Sequence, residues 1–334
     1  MSQVISREIH LAARPRAMPT PTDFTMVEVE LPPLDEQHVL VRNLFMSVDP
    51  YMRSRMNAGR SYVPQFEIGQ PLEGAAVGEV VASRAKGFNP GDIVTSSYGW
   101  REVVIASPKN LTRVEGGFQP LSLYLGLLGM TGMTAWAGLQ LAELKAGDVV
   151  YISGAAGAVG NVFGQLAKLR GCRVVGSAGS SEKITFLKED CGFDDAFNYK
   201  TGPILPQLNA VAPGGIDVYF DNVGGETLEA ALTALRVHGR IVACGGISGY
   251  NVKRPLPGPT NLFYIITKRL TMKGLLVFDW IDQQAVFEQE VGGAYHAGLL
   301  KNKETVVEGI EHAVGAFLGL FDGTNIGKMV VKLN

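Results

Sequence analysis

The chain has 334 residues, 46% of them apolar, with 41 glycines. That length supports two domains with real cores, and the composition is that of a globular α/β protein, not of a disordered one. A formal charge of -2 gives no electrostatic reason to expect nucleic acid or a membrane surface as a partner. Cys172, Cys191 and Cys244 are scattered and make neither a disulfide framework nor a metal spacing, so a reducing cytoplasm is the expected compartment.

Residues 1–15 carry charges and lack an apolar core of signal-peptide length. Short strands and turns follow. Val39–Phe45 is β-rich, Val77–Ser83 alternates weakly, and Phe88-Asn89-Pro90-Gly91-Asp92 is a turn before Ile93-Val94-Thr95. With no long helical pattern, this third reads as a mostly antiparallel, barrel-like unit. Gly116–Ala142 contains no charge, but Gly126, Gly129, Gly132 and Gly138 interrupt it. It reads as a buried helix pair between domains, not as a membrane span.

From about residue 124 apolar strands alternate with amphipathic helices. The expected strands are Val149–Ile152, Arg173–Ser177, Ala196–Tyr199, Ile216–Phe220, Arg240–Cys244 and Thr271–Val277. Helices such as Glu182–Asp190 and Thr227–Leu235 fill the gaps. This alternation predicts an α/β fold with a doubly wound parallel sheet. The end predicts one helix, Val306–Leu320, and one strand, Ile326–Val331, packed back onto the first unit.

The run Val149-Val150-Tyr151-Ile152-Ser153-Gly154-Ala155-Ala156-Gly157-Ala158-Val159-Gly160 passes from an apolar strand into glycines three apart and then a helix. Such a turn brings backbone N–H groups and a helix N-terminus against a pyrophosphate. The bland alternative is a tight strand-to-helix turn without a ligand. Folds that prefer NAD place an acid about twenty residues on, at the end of the second strand. Here that strand ends in Val174-Val175-Gly176-Ser177-Ala178-Gly179-Ser180-Ser181-Glu182-Lys183, with no carboxylate at the turn. Small residues leave room, hydroxyls donate, and Lys183 offers a positive charge to a 2′-phosphate, so NADP(H) is expected over NAD(H). Glu182 weighs slightly against this, and Lys183 also reads as an ordinary solvated helix lysine.

Several motifs carry a resemblance along nearly the whole chain. They are Ser47-Val48-Asp49-Pro50-Tyr51-Met52-Arg53-Ser54-Arg55-Met56, Leu128-Gly129-Met130, Ala155-Ala156-Gly157-Ala158-Val159-Gly160, Phe197-Asn198-Tyr199-Lys200, Asp221-Asn222-Val223-Gly224-Gly225 and Cys244-Gly245-Gly246-Ile247-Ser248. Through them the chain resembles the zinc-independent medium-chain dehydrogenase/reductases. Within those it is similar to the prostaglandin reductase (leukotriene hydroxydehydrogenase) group, with plant double-bond reductases and bacterial curcumin reductase. The resemblance implies a GroES-like, mostly β catalytic domain over 1–123, completed by 301–334, and a Rossmann NADP(H)-binding domain over 124–300. It implies that Gly157, Ala158, Val159 and Gly160 lie on the pyrophosphate, with Lys183 and Tyr199 toward the adenosine phosphate. It implies Asn222, Cys244, Gly245, Ser248 and Tyr250 near the nicotinamide half, Asn325 reaching in from the last strand, and a homodimer. From the residues alone, Tyr199 also reads as a strand-end aromatic, Asn222 as a turn former and Tyr250 as a lid over a loop.

Zinc relatives in the wider superfamily use a cysteine and a Gly-His-Glu motif; here the region reads Ile68-Gly69-Gln70-Pro71-Leu72-Glu73-Gly74, with Leu72 where the histidine would stand. His10, His38, His238, His296 and His312 are isolated from one another and from any cysteine, so no metal site is expected. Hydride transfer without a Lewis acid suits a substrate that is already an acceptor, an α,β-unsaturated ketone or aldehyde, and needs a donor for the enolate oxygen. Tyrosine suits that role. The resemblance makes Tyr51 the leading candidate, since it falls in the Asp49-Pro50-Tyr51-Met52-Arg53 loop where the family's tyrosine contacts substrate, and Tyr62 is the second. Relatives carry a tyrosine where this chain has Thr267, and Tyr264, nearly one helical turn earlier, is a third candidate. The plain alternative for Tyr51 is a packed turn aromatic, with Arg53 and Arg55 in surface ion pairs. The competing functions are a zinc-free quinone reductase and a non-catalytic NADPH-binding protein.

Overall fold

The computed structural model describes residues 3–59, 61–253 and 257–333. By its contacts the chain divides into two units, Met1–Leu125 with Glu304–Asn325 and Met329–Asn334, and Gly126–Lys303 with Ile326–Lys328.

The first unit carries β1 (Ile5–Leu11), β2 (Phe24–Glu30), β3 (Val39–Ser47), β4 (Ala76–Ser83), β5 (Ile93–Ser96), β6 (Val103–Ala106) and β7 (Thr112–Arg113). β1 and β2 pair antiparallel, with Ile5 opposite Glu30 and Leu11 opposite Phe24. The larger sheet runs Glu304–Glu308, Lys328–Lys332, β3, β4, β5, β7, and β6 pairs with β3. Val330 lies opposite Ser47, so the strand Lys328–Lys332 runs antiparallel beside β3. In the core, Trp100 stacks on Phe24 at 6.5 Å and meets the edge of Phe317 at 6.0 Å. The first α-helical turn, α1 (Met52–Arg55), buries Met52 against the same cluster.

One expectation fails in this unit. Val306 was expected in a helix but lies in the strand Glu304–Glu308, and the helix runs only over Ala313–Asp322. The reason is local: Thr305-Val306-Val307 is β-branched, and Gly309 at φ +85° turns the chain before the helix begins.

The second unit holds β8 (Val149–Ile152), β9 (Arg173–Ala178), β10 (Asp195–Asn198), β11 (Ile216–Asp221), β12 (Leu235–Ala243) and β13 (Thr271–Gly274). They form one sheet in the order β10-β9-β8-β11-β12-β13, every neighbouring pair parallel. Helices α2 (Met130–Ala142), α3 (Ala158–Leu169), α4 (Ser181–Thr185), α5 (Ile204–Val211), α6 (Gly225–Ala234) and α7 (Phe263–Thr267) belong to this unit. β8 is apolar throughout, and β11 carries the apolar run Val218-Tyr219-Phe220, because both faces of the sheet are covered. On one face Tyr151 stacks with Tyr219 at 5.1 Å and with Phe197 at 5.8 Å. On the other, Phe163 of α3 stacks on Phe220 at 4.0 Å.

Four local expectations shift in this unit. Leu235 opens β12 instead of closing a helix, and β13 stops at Gly274, where Thr271–Val277 was expected as strand. Glu182–Asp190 is α4 followed by a π-helical turn over Phe186–Asp190. The uncharged stretch holds a short 3-10 turn, Leu121–Leu125, and the single helix α2 instead of a helix pair. Among the described residues no helix is long and apolar enough to cross a membrane.

Candidate active site

β8 delivers the chain to the glycine loop. Gly154 sits at φ +58°, where a side chain would be strained. A Cβ on Gly160 would stand 2.7 Å from the Gly154 carbonyl oxygen and 2.8 Å from the Ala155 Cα, so α3 can start this close to the strand end only with glycine there. Gly157 caps α3 in extended conformation with no side-chain hydrogen bond. The Asn161 N–H donates to the Gly157 carbonyl at 3.2 Å, and the Asn161 amide donates to it at 2.6 Å. The amides of Ala158, Val159 and Gly160 thus precede the helical ladder at its positive end, the arrangement that suits a phosphate. The Gly327 N–H donates to the Ala156 carbonyl at 2.8 Å, so the segment following Asn325 is tied to the loop's backbone.

At the end of β9 the chemistry is cationic. Ser180 caps α4, its hydroxyl accepting from the Lys183 N–H at 3.3 Å. The bare Gly179 Cα leaves space that the Tyr199 hydroxyl and the Lys200 side chain fill: a Cβ there would lie 3.0 Å and 3.1 Å from them. Lys183 is half-buried, and burial, then the nearby Lys200 ammonium, push its ammonium below the ordinary lysine range, with Glu182 opposing. Two cations held close at a turn with no carboxylate of its own fit a dianionic 2′-phosphate better than a bare ribose hydroxyl.

Past β11 and β12 the remaining candidates come together. The Asn222 N–H donates to the Ser153 hydroxyl at 3.0 Å and the Asn222 amide to the Ser153 carbonyl at 2.8 Å, tying the ends of β8 and β11. The N–H groups of Cys244 and Gly245 both donate to the Asp221 carbonyl at 2.9 Å. The Ser248 hydroxyl donates to the Val223 carbonyl at 2.6 Å, and the Tyr250 phenol accepts from the Gly246 N–H at 3.5 Å. Burial pushes the Cys244 thiol up to about 12, so it stays a neutral thiol and is no nucleophile.

Tyr51, in the first unit, stands at the start of α1 and packs on the core cluster. Burial and then Asp49 push its phenol well above the usual range, while Arg55 pulls the other way and Tyr62 adds to the rise. At any ordinary pH it is therefore a neutral O–H donor. The two phenols are near enough to feel each other, although Tyr62 itself is 56% exposed. Arg53 and Arg55 are buried. Arg53 donates to the Ala17 carbonyl at 2.8 Å and to Asn57 Oδ1 at 2.7 Å. Arg55 lies 4.1 Å over Phe66, donates to the Pro64 carbonyl at 2.8 Å and pairs with Glu73 at 2.6 Å. The arginines thus brace the loop that presents Tyr51.

Tyr264 stands elsewhere. It lines a cavity of about 410 Å³ with Pro203, Ile204, Glu226, Glu229 and Asn261, and Lys268 sits 4.5 Å over its ring. Nothing lining that cavity belongs to the set around Asn222 and Cys244. Leu72, in the place of a zinc-ligating histidine, is a fully buried core residue. Among the described residues no three His, Cys, Asp or Glu side chains gather as metal ligands would.

Two family profiles match, one described as the N-terminal domain of oxidoreductase over residues 7–114 and one as zinc-binding dehydrogenase over 158–291. The chain is 42% identical over 332 residues to a putative NADP-dependent oxidoreductase, YfmJ, of Bacillus subtilis, covering 98% of each. It is 42% identical over 339 residues to a 2-alkenal reductase (NADP(+)-dependent) of Nicotiana tabacum, covering 99% of this chain and 98% of that one. CurA of Vibrio vulnificus in complex with NADPH superposes with a TM-score of 0.94 at 36% identity, covering 98% and 99% of the two chains. The chain belongs to the zinc-independent medium-chain dehydrogenase/reductases. The second profile's description names zinc, yet the segment it matches is mainly the nucleotide-binding unit, and in this reductase its cysteines are single and apart. Reading the sequence passed over two residues of this medium-chain reductase that the geometry singles out. Lys200 ends the motif Phe197-Asn198-Tyr199-Lys200, and its place just past a strand was the available signal. Asp221 opens Asp221-Asn222-Val223-Gly224-Gly225, and a carboxylate directly after the apolar run Val218-Tyr219-Phe220 was the other.

Proposed function

We propose that this chain reduces the carbon–carbon double bond of α,β-unsaturated ketones or aldehydes, using NADPH. The end-to-end likeness to a protein named a 2-alkenal reductase carries the substrate class. In this reading the amides of Ala158, Val159 and Gly160 beside Gly157 hold the pyrophosphate, and Lys183 with Tyr199 holds the 2′-phosphate. Asn222, Cys244, Gly245, Ser248 and Tyr250 line the nicotinamide half, with Asn325 contributing from the segment before Gly327. The cofactor, when bound, supplies the hydride that the β-carbon of the substrate takes up. Tyr51 then matters most: its neutral phenol donates a hydrogen bond to the carbonyl oxygen as negative charge builds there, and a proton at the α-carbon completes the reduction. Tyr62, beside it, is the second donor.

Stimulation of NADPH oxidation by a panel of short enals and enones, followed by absorbance, tests the activity. Turnover of quinones with none of any enone would move the chain to the quinone reductases, and tight NADPH binding with no turnover at all would make it a binding protein. Tyr51→Phe keeps the ring and removes the donor, so kcat should fall about 10²–10³-fold with a smaller change in KM. Unchanged turnover at saturating enone takes Tyr51 out of the role.

We further propose a homodimer formed along the edge of the parallel sheet. β13 is one of the two edge strands, Met272 on it is 44% exposed, and Phe263 and Ile266 of α7 are 67% and 68% exposed; an open edge with exposed apolar side chains favours a second copy. Sedimentation of the purified protein as a monomer would rule this out. A cytoplasmic location completes the reading, supported by three cysteines that are all free thiols.

A further inference from the structure

The strand order β10-β9-β8-β11-β12-β13 starts outward from β8 in two directions, and ligands of such sheets sit outside the carboxyl ends of the strands at that switch point. Ser153 leaves β8 there, and Asp221 closes β11 beside it. Asp221 is 2% exposed. Its Oδ1 accepts from the Tyr219 hydroxyl at 2.6 Å, the Gly224 N–H at 2.8 Å, the Val223 N–H at 3.0 Å and the Ser153 hydroxyl at 3.3 Å.

None of these donors is a cation. Other aspartates of the same unit are paired: Asp148 with Arg240 at 2.6 Å, Asp217 with Arg236 at 2.7 Å, Asp194 with Lys168 at 2.8 Å. Among the described residues the partners of this buried carboxylate are dipolar only, and in a low-dielectric interior the field of such a charge extends well beyond its contacts. That field is felt by the groups past the strand ends. After burial, Asp221 is the next cause holding up the Cys244 thiol, and it adds to the rise of the Tyr250 phenol. In the proposed reading both line the nicotinamide half of the crevice outside the strand ends.

We propose that Asp221 sets the balance between the two redox forms of the bound cofactor, its carboxylate favouring the oxidised form, whose nicotinamide ring is cationic, over the reduced form, whose ring is neutral. The assignment rests on the reading of the chain as an NADPH-dependent reductase. Tighter binding of the oxidised form makes the bound reduced form a stronger hydride donor, which suits an acceptor that no Lewis acid polarises. The backbone N–H groups of Val223 and Gly224 keep the carboxylate in place, and Tyr219 orients it.

Binding of NADP⁺ and of NADPH, each measured separately by calorimetry without substrate, tests this. Asp221→Asn retains an oxygen for the Val223 and Gly224 amides and removes the charge. It should weaken NADP⁺ about three- to tenfold while NADPH changes less than about twofold. Tyr219→Phe removes a hydrogen bond and keeps the charge, and should hold the ratio of the two affinities or move it further toward NADP⁺. Equal loss of both nucleotides in Asp221→Asn would make Asp221 a brace for the loop and nothing more. A ratio displaced as far toward NADPH by Tyr219→Phe as by Asp221→Asn would overturn the role of the charge. Wild-type protein that binds neither nucleotide would overturn the NADPH reading and this assignment with it, whereas binding of both with an unmoved ratio overturns the assignment alone.

Discussion

Two stretches of the parallel sheet's carboxyl edge, on either side of β8, carry opposite charge. Beyond β9 and β10, Lys183 and Lys200 stand close enough to depress one ammonium, with no carboxylate at the turn itself. Beyond β11, Asp221 is buried among dipolar donors, with no cation among the described residues that bond it. Between them lies the glycine loop, whose charge is only that of a helix N-terminus. One scaffold of buried strands thus presents three electrostatic environments in a row. On the proposed reading, the fold supplies the place for a dinucleotide, and a few residues past the strand ends decide which dinucleotide, which way round, and in which redox form.

The sharpest way to break that contrast is at its positive end. Lys183→Ala should weaken NADPH by about 1.5–3 kcal/mol, the range for a hydrogen bond to a charged group, or roughly ten- to a hundredfold, and leave NADH nearly unchanged. Titration of both nucleotides checks it; equal losses would mean that Lys183 does not meet the 2′-phosphate. Gly160→Ala acts on the neutral middle instead. Its Cβ would press on the Gly154 and Ala155 backbone, a misfit costing about 1–3 kcal/mol, and NADPH and NADH should weaken together. A loss confined to NADPH would place the pyrophosphate elsewhere.

The strands were legible because both faces are buried and the apolar runs Val149–Ile152 and Ile216–Phe220 cannot be mistaken for a solvated loop. The glycine loop was legible because its spacing is a steric requirement, realised in Gly154 and Gly160. Less could be read at Val306, where apolar spacing suits a helix or a strand until Gly309 and the neighbouring strand Lys328–Lys332 decide. Tyr264 illustrates a different limit. Its distance along the chain from Thr267 was correct for one helical turn, but α7 faces it toward α5 and α6. The site's electrostatics were the least visible part. Neither the closeness of Lys200 to Lys183 nor the lack of a cation at Asp221 is a property of local sequence, since each depends on which strands the sheet sets side by side.

The smallest expected effect tests the closeness of the two lysines. Lys200 is exposed, so its own contact with a phosphate is screened, and Lys200→Ala should weaken NADPH only about two- to fivefold at neutral pH, within the roughly 0.2–1 kcal/mol of exposed pairs. Its effect on pH dependence is more telling. On the proposed reading, preference for NADPH over NADH needs a protonated Lys183, so it is lost as pH rises through that lysine's depressed range. Burial is the larger cause of the depression and stays in the variant, but the like charge of Lys200 goes. The alkaline fall in NADPH preference should therefore move to higher pH in Lys200→Ala and vanish in Lys183→Ala. An alkaline limb that stays where it was in Lys200→Ala would mean that the two ammonium groups do not share one anion, and the positive end of the sheet would then rest on Lys183 and Tyr199 alone.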